Sequence, residues 1–519
     1  MSRTRVAVMM AVGLAACGGN GDPAGDVEPG NPIVRDLFTA DPAALAHDGR
    51  LYVFTGRDEA PPDHADFLMR EWHAFSTTAP APDPGAWEHH GAILSLPDFE
   101  WADANAWAAE VVRGPDGRFY WYVSVRWADA PPDGDRMSIG VAVADHPLGP
   151  YQDAIGGPLI TAELENASSH NIDPTVLVHE DGIYLYWGSF WSPRFVRLDS
   201  TMTALAGPAQ TPEGLEEFWE APWLLERDDV YYMLYASNAN IEDDDCVTSR
   251  YYACIRYATA EHPAGPWEHQ GIVLGQVSST TNHPAAVEFP DGSDTWWMVY
   301  HTADLPAGGN FRRSVAIDSL VFEADGSLRR VRQTRYTPPP PDPVTTDDIS
   351  LAASVACSYT APWERCTAVR SGADPDSSNI PGPNLGTRWA TWPETGEQWV
   401  AYTWEEPVTI HASEVYWFRN TPDGQDGGVK PPASWRLEYR ADGAWAPVPG
   451  ADTLGTELDR YNRVAFDTVT TTGLRAVIRA RDDAEGVGML RWKVYAPEPV
   501  TITPADPAAD RGADRATDP

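Results

Sequence analysis

The 519-residue sequence predicts an all-β chain, a five-bladed β-propeller followed by a β-sandwich. Three features predict it. A short apolar strand, a tight turn and an aromatic returning strand recur five times between residues 39 and 300. With 47 Pro and 42 Gly, the chain is cut into short segments that suit strands better than long helices. Between the recurring units, no stretch of any length has the 3.6-residue apolar period of a helix.

The units align on their turns. The first runs from Asp41-Pro42 through Asp48-Gly49 to Leu51-Tyr52-Val53-Phe54. The second is Ala108-Ala109-Glu110-Val111-Val112, turning at Asp116-Gly117 into Phe119-Tyr120-Trp121-Tyr122-Val123. The third is Asp173-Pro174-Thr175-Val176-Leu177-Val178, turning at Asp181-Gly182 into Tyr184-Leu185-Tyr186-Trp187. The fourth is Ala221-Pro222-Trp223-Leu224-Leu225, turning at Asp228-Asp229 into Tyr231-Tyr232-Met233-Leu234-Tyr235. The fifth is His283-Pro284-Ala285-Ala286-Val287, turning at Asp291-Gly292 into Trp296-Trp297-Met298-Val299-Tyr300. Successive starts are 67, 65, 48 and 62 residues apart, room for one four-stranded antiparallel sheet per unit. His146-Pro147-Leu148-Gly149-Pro150-Tyr151 and His262-Pro263-Ala264-Gly265-Pro266-Trp267 are a second repeat signal.

These units give a propeller over residues 31–336. The Pro-rich stretch 337–348 reads as a stiff spacer. Residues 349–496 alternate as antiparallel strands do, for example in Gln398-Trp399-Val400-Ala401-Tyr402-Thr403-Trp404, and predict the sandwich. Residues 497–519 are rich in Pro, Ala and Asp and read as a disordered tail.

The N-terminus has the form of an export signal over residues 1–16. Arg3 and Arg5 precede a short apolar run that is too brief to span a bilayer. Leu14-Ala15-Ala16-Cys17 resembles the bacterial lipobox, which implies a lipid on Cys17 and a flexible tether over 17–30; a plain secretory signal is the alternative. The expected location is the bacterial cell envelope or the exterior, with the Cys17 lipid as the sole membrane attachment. Of five cysteines, Cys246 and Cys254 form one local pair and Cys357 and Cys366 another, which suits an oxidising compartment. A net charge of −39 argues against a nucleic-acid partner, which requires a basic face. A monomer is expected.

The repeat also places chemistry. First strands of propeller blades line the central channel, so residues at one repeat position ring one end of it. The occupants are Asp41, Ala108, Asp173, Ala221 and His283. Two acids and a histidine on one ring are poor packing, because burying unpartnered charge is costly. Glu220 stands one residue before the ring position and should project to the same mouth at a different height. Carboxyls on both sides of a cleft, with aromatics near, suit glycoside hydrolysis. Burial and a neighbouring acid raise a Glu pKa enough to make it a proton donor near neutrality.

Six segments, in order, resemble glycoside hydrolase family 43: Thr39-Ala40-Asp41-Pro42, Trp107-Ala108-Ala109-Glu110-Val111, Asn171-Ile172-Asp173-Pro174-Thr175, Phe218-Trp219-Glu220-Ala221-Pro222-Trp223, Thr281-Asn282-His283-Pro284 and Phe311-Arg312-Arg313-Ser314-Val315. The resemblance implies an inverting enzyme of α-L-arabinofuranosidase or β-xylosidase type. Such an enzyme releases arabinofuranosyl or xylosyl units from hemicellulose such as arabinoxylan, arabinan or xylo-oligosaccharides. It implies Asp41 as general base, Glu220 as general acid and Asp173 as the acid that orients the donor and tunes its pKa. It implies Arg313, with Arg312 the alternative, as a substrate-contacting arginine. Trp107 is a sugar-stacking platform or a rim-packing residue. No cofactor is needed for the chemistry. His283 matches a channel histidine that approaches a structural calcium ion in some members; a hydrogen-bonded histidine without metal is the alternative. Ala109 departs from the proline common in relatives.

In the second unit, Asn462-Arg463-Val464-Ala465-Phe466 and Gly488-Met489-Leu490-Arg491-Trp492-Lys493-Val494-Tyr495 resemble discoidin-like carbohydrate-binding jelly rolls. That implies a module holding the enzyme on polysaccharide; a stabilising appendage is the alternative. Trp363, Trp389 and Trp392 are the aromatic candidates for its ligand face. For the propeller, a non-catalytic sugar-binding surface protein is the competing reading. A retaining relative of fructan-cleaving propellers fits less well, because Ala40 and Ala43 flank Asp41-Pro42 where those proteins carry asparagines.

Overall fold

In the computed structural model, the described residues are 29–505 except 62–63, 65, 239–252, 307, 337–340, 362–363, 371–373, 380–387 and 422–424. The signal segment, Cys17, Cys246 and Trp363 lie outside them.

Five antiparallel sheets follow one another along the chain and form the blades. The first joins Thr39–His47, Arg50–Arg57, Glu71–Thr77 and Glu88–Ser95. The second joins Ala109–Arg113, Phe119–Trp127, Met137–Ala144 and Gln152–Asp153, with Ala102–Ala104 added beside Phe119–Trp127. The fourth and fifth run over Glu220–Arg227 to Glu268–Leu274 and Ala285–Glu288 to Leu328–Arg329. The third has three strands, not four: Thr175–His179, Gly182–Trp187 and Arg194–Leu198. Its outer edge is met only by single bridges from Leu205 and Gln210. This is the shortest unit of the repeat, and its chain returns to the channel before a full fourth strand is laid down.

The aromatic returning strands are middle strands, buried on both faces between neighbouring blades. That is why Phe119–Trp127 is almost continuously apolar and does not alternate. Side chains bridge adjacent blades: Trp72 Nε1 donates to the Trp107 carbonyl at 2.7 Å and Trp223 Nε1 to the Ala286 carbonyl at 3.0 Å. The ring closes at its ends. Asn31 is buried and exchanges hydrogen bonds with Ile317 on Ser314–Phe322, 2.9 Å each way. Ile33 N donates to the Val315 carbonyl and Thr39 N to the Arg313 carbonyl, both at 2.9 Å. The chain therefore enters the first blade already stitched to the fifth.

The second unit is built on three long strands, Glu397–Trp417, Asn462–Arg479 and Gly486–Ile502, which pair antiparallel and are joined by shorter ones, of which Val429–Lys430 runs parallel to Gly486–Ile502. Its core carries Trp389, Trp417 and Trp492, each under 2% exposed. Cys357 and Cys366 are disulfide-bonded. Two expectations change. The spacer and the tail are not wholly irregular, because Val344–Asp348 pairs with the end of Gly486–Ile502, Val344 opposite Ile502 and Thr346 opposite Val500. These segments are rich in β-branched Val, Thr and Ile, which favour a pleated edge even beside prolines. Trp389 is core, not a ligand face: it is fully buried and donates to the Tyr359 carbonyl at 2.9 Å. Trp392 is half-buried and bonds Glu485 Oε2 at 3.2 Å. The two units touch where Arg365 Nη2 donates to the Ala303 carbonyl at 3.2 Å.

Candidate active site

The acids owe their placement to local breaks in the inner strands. Asp41, Asp173 and Ala221 each precede a proline and each have positive φ, 51°, 60° and 55°. A residue before proline is pushed away from helical conformations, so left-handed geometry at these positions is strained. The strain coincides with β-bulges: register slips between Ala40 and Ala43 in the first blade and between Glu220 and Trp223 in the fourth. A bulge re-aims the side chains around it. In the first and third blades the acid itself is the left-handed residue. In the fourth blade Ala221 takes that conformation, and Glu220 comes from the last paired position before it, opposite Ala236. The one-residue offset in the sequence thus becomes a different approach to the same cavity.

That cavity, about 800 Å³, opens at the channel mouth. Asp41, Trp107, Ala108, Asp173, Glu220, His283 and Arg313 all line it. Of the two candidate arginines, Arg313 faces the cavity, whereas Arg312 Nη1 donates to the Pro61 carbonyl at 3.0 Å. Trp107 is half-buried, with its Nε1 on the Phe67 carbonyl at 3.0 Å.

Asp41 is surrounded by cationic or ionisable nitrogen. Arg313 Nη1 donates to its Oδ1 at 2.7 Å and His301 Nδ1 lies 3.3 Å from the same oxygen. Burial works to raise its pKa, but Arg313 and His301 outweigh it and hold the carboxyl well below the usual carboxylate range. Arg313 is in turn gripped by Asp58, through Nε at 2.9 Å and Nη2 at 3.0 Å. Its ring-face contact with Phe67, at 4.7 Å, covers the guanidinium plane.

Glu220 has the opposite surroundings. Its carboxyl accepts a hydrogen bond from Ser189 Oγ, 2.8 Å to Oε2. Burial raises its pKa to about 7, against the Ser189 bond and with help from the Asp41 charge. Asp173 Oδ2 accepts from Ala221 N at 3.1 Å, the residue after Glu220, and Asp173 N donates to Ser124 Oγ at 3.0 Å. Burial, then the charges of Glu220 and Asp41, push the Asp173 carboxyl up. Asp41 and Glu220 thus line one cavity in environments that drive their pKa values apart.

His283 is 7% exposed, and burial lowers its pKa to about 4, so the ring is neutral near neutrality. Calcium takes six to eight oxygen ligands. Among the described residues no group of three or more His, Cys, Asp or Glu is arranged for a metal. The adjacent Asn282 does keep both amide atoms buried without a partner. The residues therefore suit a water-completed ion, with Asn282 Oδ1 and His283 as its protein side, and not a protein-built cage.

Asp58, His301, Ser189, His170, Phe190 and Trp191 were not indicated by the sequence. The repeat marks only first strands, whereas Asp58 and His301 end second strands and Ser189–Trp191 form a loop. The one available signal was the polar ending of otherwise apolar strands, as in Phe54-Thr55-Gly56-Arg57-Asp58 and Met298-Val299-Tyr300-His301.

The model of glycosyl hydrolases family 43 matches residues 29–328. A xylosidase/arabinosidase of Bacteroides ovatus is 28% identical over 341 residues, 57% of this chain and 95% of that protein. Xylosidase/arabinosidase 43A of Humicola insolens is 26% identical over 350 residues, 57% of this chain and 98% of that one. A solved family 43 enzyme from Xanthomonas citri, complexed with xylotriose, is 27% identical, with a TM-score of 0.49 over 59% of this chain and 94% of that chain. The family match spans all five blades and every lining acid, and the chemistry of the family requires no cofactor. The chain is a glycosidase that belongs to glycosyl hydrolases family 43.

Proposed function

We propose that this enzyme releases arabinofuranosyl or xylosyl units, or both, from hemicellulose with inversion at the anomeric carbon. One observation carries the reading: Asp41 is held ionised by Arg313, while Glu220, in the same cavity, is pushed up to about 7. Asp41 takes a proton from water as the water attacks the anomeric carbon. Glu220 gives its proton to the leaving oxygen. Asp173, through the Ala221 amide, fixes the backbone that presents Glu220. Arg313 orients Asp41 and meets substrate beside it, and Trp107 stacks on the sugar. The pentose class follows from the xylosidase/arabinosidase relatives, both over 95% or more of their own length.

Asn282 and His283 would hold a calcium ion, which would add positive charge to the channel; no proton transfer above needs it. The discoidin-like character of the second unit, export, and the lipid on Cys17 complete the reading. No helix among the described residues is long and apolar enough to cross a membrane. The second unit would then hold the catalytic cleft near polysaccharide, raising its effective concentration.

The test is a panel of aryl α-L-arabinofuranosides and aryl β-xylosides with arabinoxylan, the first product followed by NMR. The expected product has the inverted anomeric configuration. Retention, or inertness towards every pentoside, would overturn the reading.

A further inference from the structure

The wall of the cleft nearest Glu220 carries an imidazole that the reaction does not use. His170 lines the cavity. Its Nδ1 lies 2.8 Å from Asp135 Oδ1. Asp135 arrives from another blade, on the loop before Met137–Ala144, and its side chain is only 9% exposed. Its other oxygen accepts from Asn171 N at 2.8 Å and Asn171 Nδ2 at 3.0 Å, and Oδ1 also takes Met137 N at 3.0 Å. Asn171 is itself fixed by Trp187 Nε1 at 2.9 Å. A carboxylate with four donors sets the ring orientation of His170 as a second-shell carboxylate sets a catalytic histidine. With Nδ1 engaged, Nε2 is left without a protein partner among the described residues.

The surroundings say what meets that nitrogen. His170 lies between Trp107 and Phe190, with ring centroids 6.1 and 5.5 Å away. Phe190 and Trp191 are 52% and 62% exposed, and both have left-handed backbones, φ 51° and 60°. Exposed aromatics on strained backbone are unfavourable for the fold alone and are characteristic of binding loops. The same loop supplies Ser189, which holds Glu220. A general acid stands on the side of the departing oxygen, so residues carried on its loop towards solvent face the departing part of the substrate.

We infer that His170, oriented by Asp135, hydrogen-bonds a hydroxyl of the leaving sugar unit, and that Phe190 and Trp191 stack against that unit. This rests on the glycosidase reading of the cavity given above. A neutral Nε2 accepts from a sugar hydroxyl and a protonated one donates to it, so the contact survives either state. Apolar ring faces beside a hydrogen-bonding tip suit a neutral saccharide, which has C–H faces and hydroxyl edges. Asp135 is a positioning residue; His170, Phe190 and Trp191 touch the substrate.

The test compares a pentose oligosaccharide with a pentosyl fluoride, using the full chain. Fluoride leaves no sugar in the leaving position. In His170→Gln and Asp135→Asn, kcat/KM on the oligosaccharide should fall about tenfold or more, mainly through KM. The loss on the fluoride should stay under about threefold. Trp191→Ala, at an exposed site where folding is not at risk, should shift the ratio the same way. Equal losses on both substrates, or no loss on the oligosaccharide, would overturn the inference. Wild-type enzyme inert on both would instead overturn the pentosidase reading, and this inference with it.

Discussion

Arg313 reaches Asp41 at 2.7 Å with one arm of its guanidinium while the rest of the fork is closed on Asp58. A planar five-donor group can hold two carboxylates in fixed directions at once; an ammonium cannot. Arg313 is 3% exposed, so each lost contact leaves a buried charge short of a partner. Arg313→Lys keeps the charge and loses the fork. It should lower kcat at least tenfold and reduce thermal stability. A variant with native kcat would show that Asp41 needs only a nearby positive charge.

Glu220 gives a signed prediction in pH. On the proposed mechanism the reaction needs its proton, and its pKa is pushed up to about 7. Activity should therefore fall as pH rises through about 7, and Glu220→Gln should remove most turnover, about 10²–10⁴-fold. The same raised pKa affects stability. The folded state binds this proton more tightly than the unfolded chain does. Its contribution is complete below the ordinary Glu range and is lost as pH rises towards 7 and above. Glu220→Gln should then melt close to wild type at pH 4 and above it at pH 8, by an amount on the order of 3 kcal/mol. Equal melting at both pH values would place the high pKa elsewhere.

Asp173 separates charge from position. The charge of Glu220 raises the Asp173 carboxyl. Asp173→Asn removes that repulsion and weakens the link to Ala221 N, which Asp173 makes at 3.1 Å. The descending limb of the kcat profile should move to lower pH as kcat falls. A reduced kcat with an unmoved limb would leave Asp173 a purely positional role.

The repeat was legible because each blade needs the same two things, a short first strand at the channel and an aromatic middle strand buried on both faces. Those needs are local, so Asp41, Asp173 and His283 could be read from register alone. The meaning of the Glu220 offset could not, because it depends on Ala221 adopting φ 55° at a bulge. Asp58 and Arg313 are 255 residues apart and meet only because the fifth blade returns beside the first. Asp135 and His170 meet across two blades in the same way. Composition misled at the spacer and tail, where prolines and acids obscured Val344–Asp348 pairing with the last strand. It misled also at Trp389, whose ring fills the core of the second unit instead of facing a ligand.

The Cys357–Cys366 bond tests whether the two units stand alone. It closes a loop of sequence separation 9, and the entropy removed from the unfolded chain corresponds to about 2–3 kcal/mol. Both cysteines lie in the core of the second unit, which meets the propeller through the Arg365 contact with Ala303. Replacing both by alanine should lower a melting transition belonging to the second unit. Hydrolysis of a soluble aryl pentoside, which requires only the propeller cavity, should be unchanged. Calorimetry of the wild-type chain and the double variant, both under oxidising conditions, checks this. A single transition that falls as a whole, together with lost hydrolysis, would mean that the second unit is part of the catalytic fold.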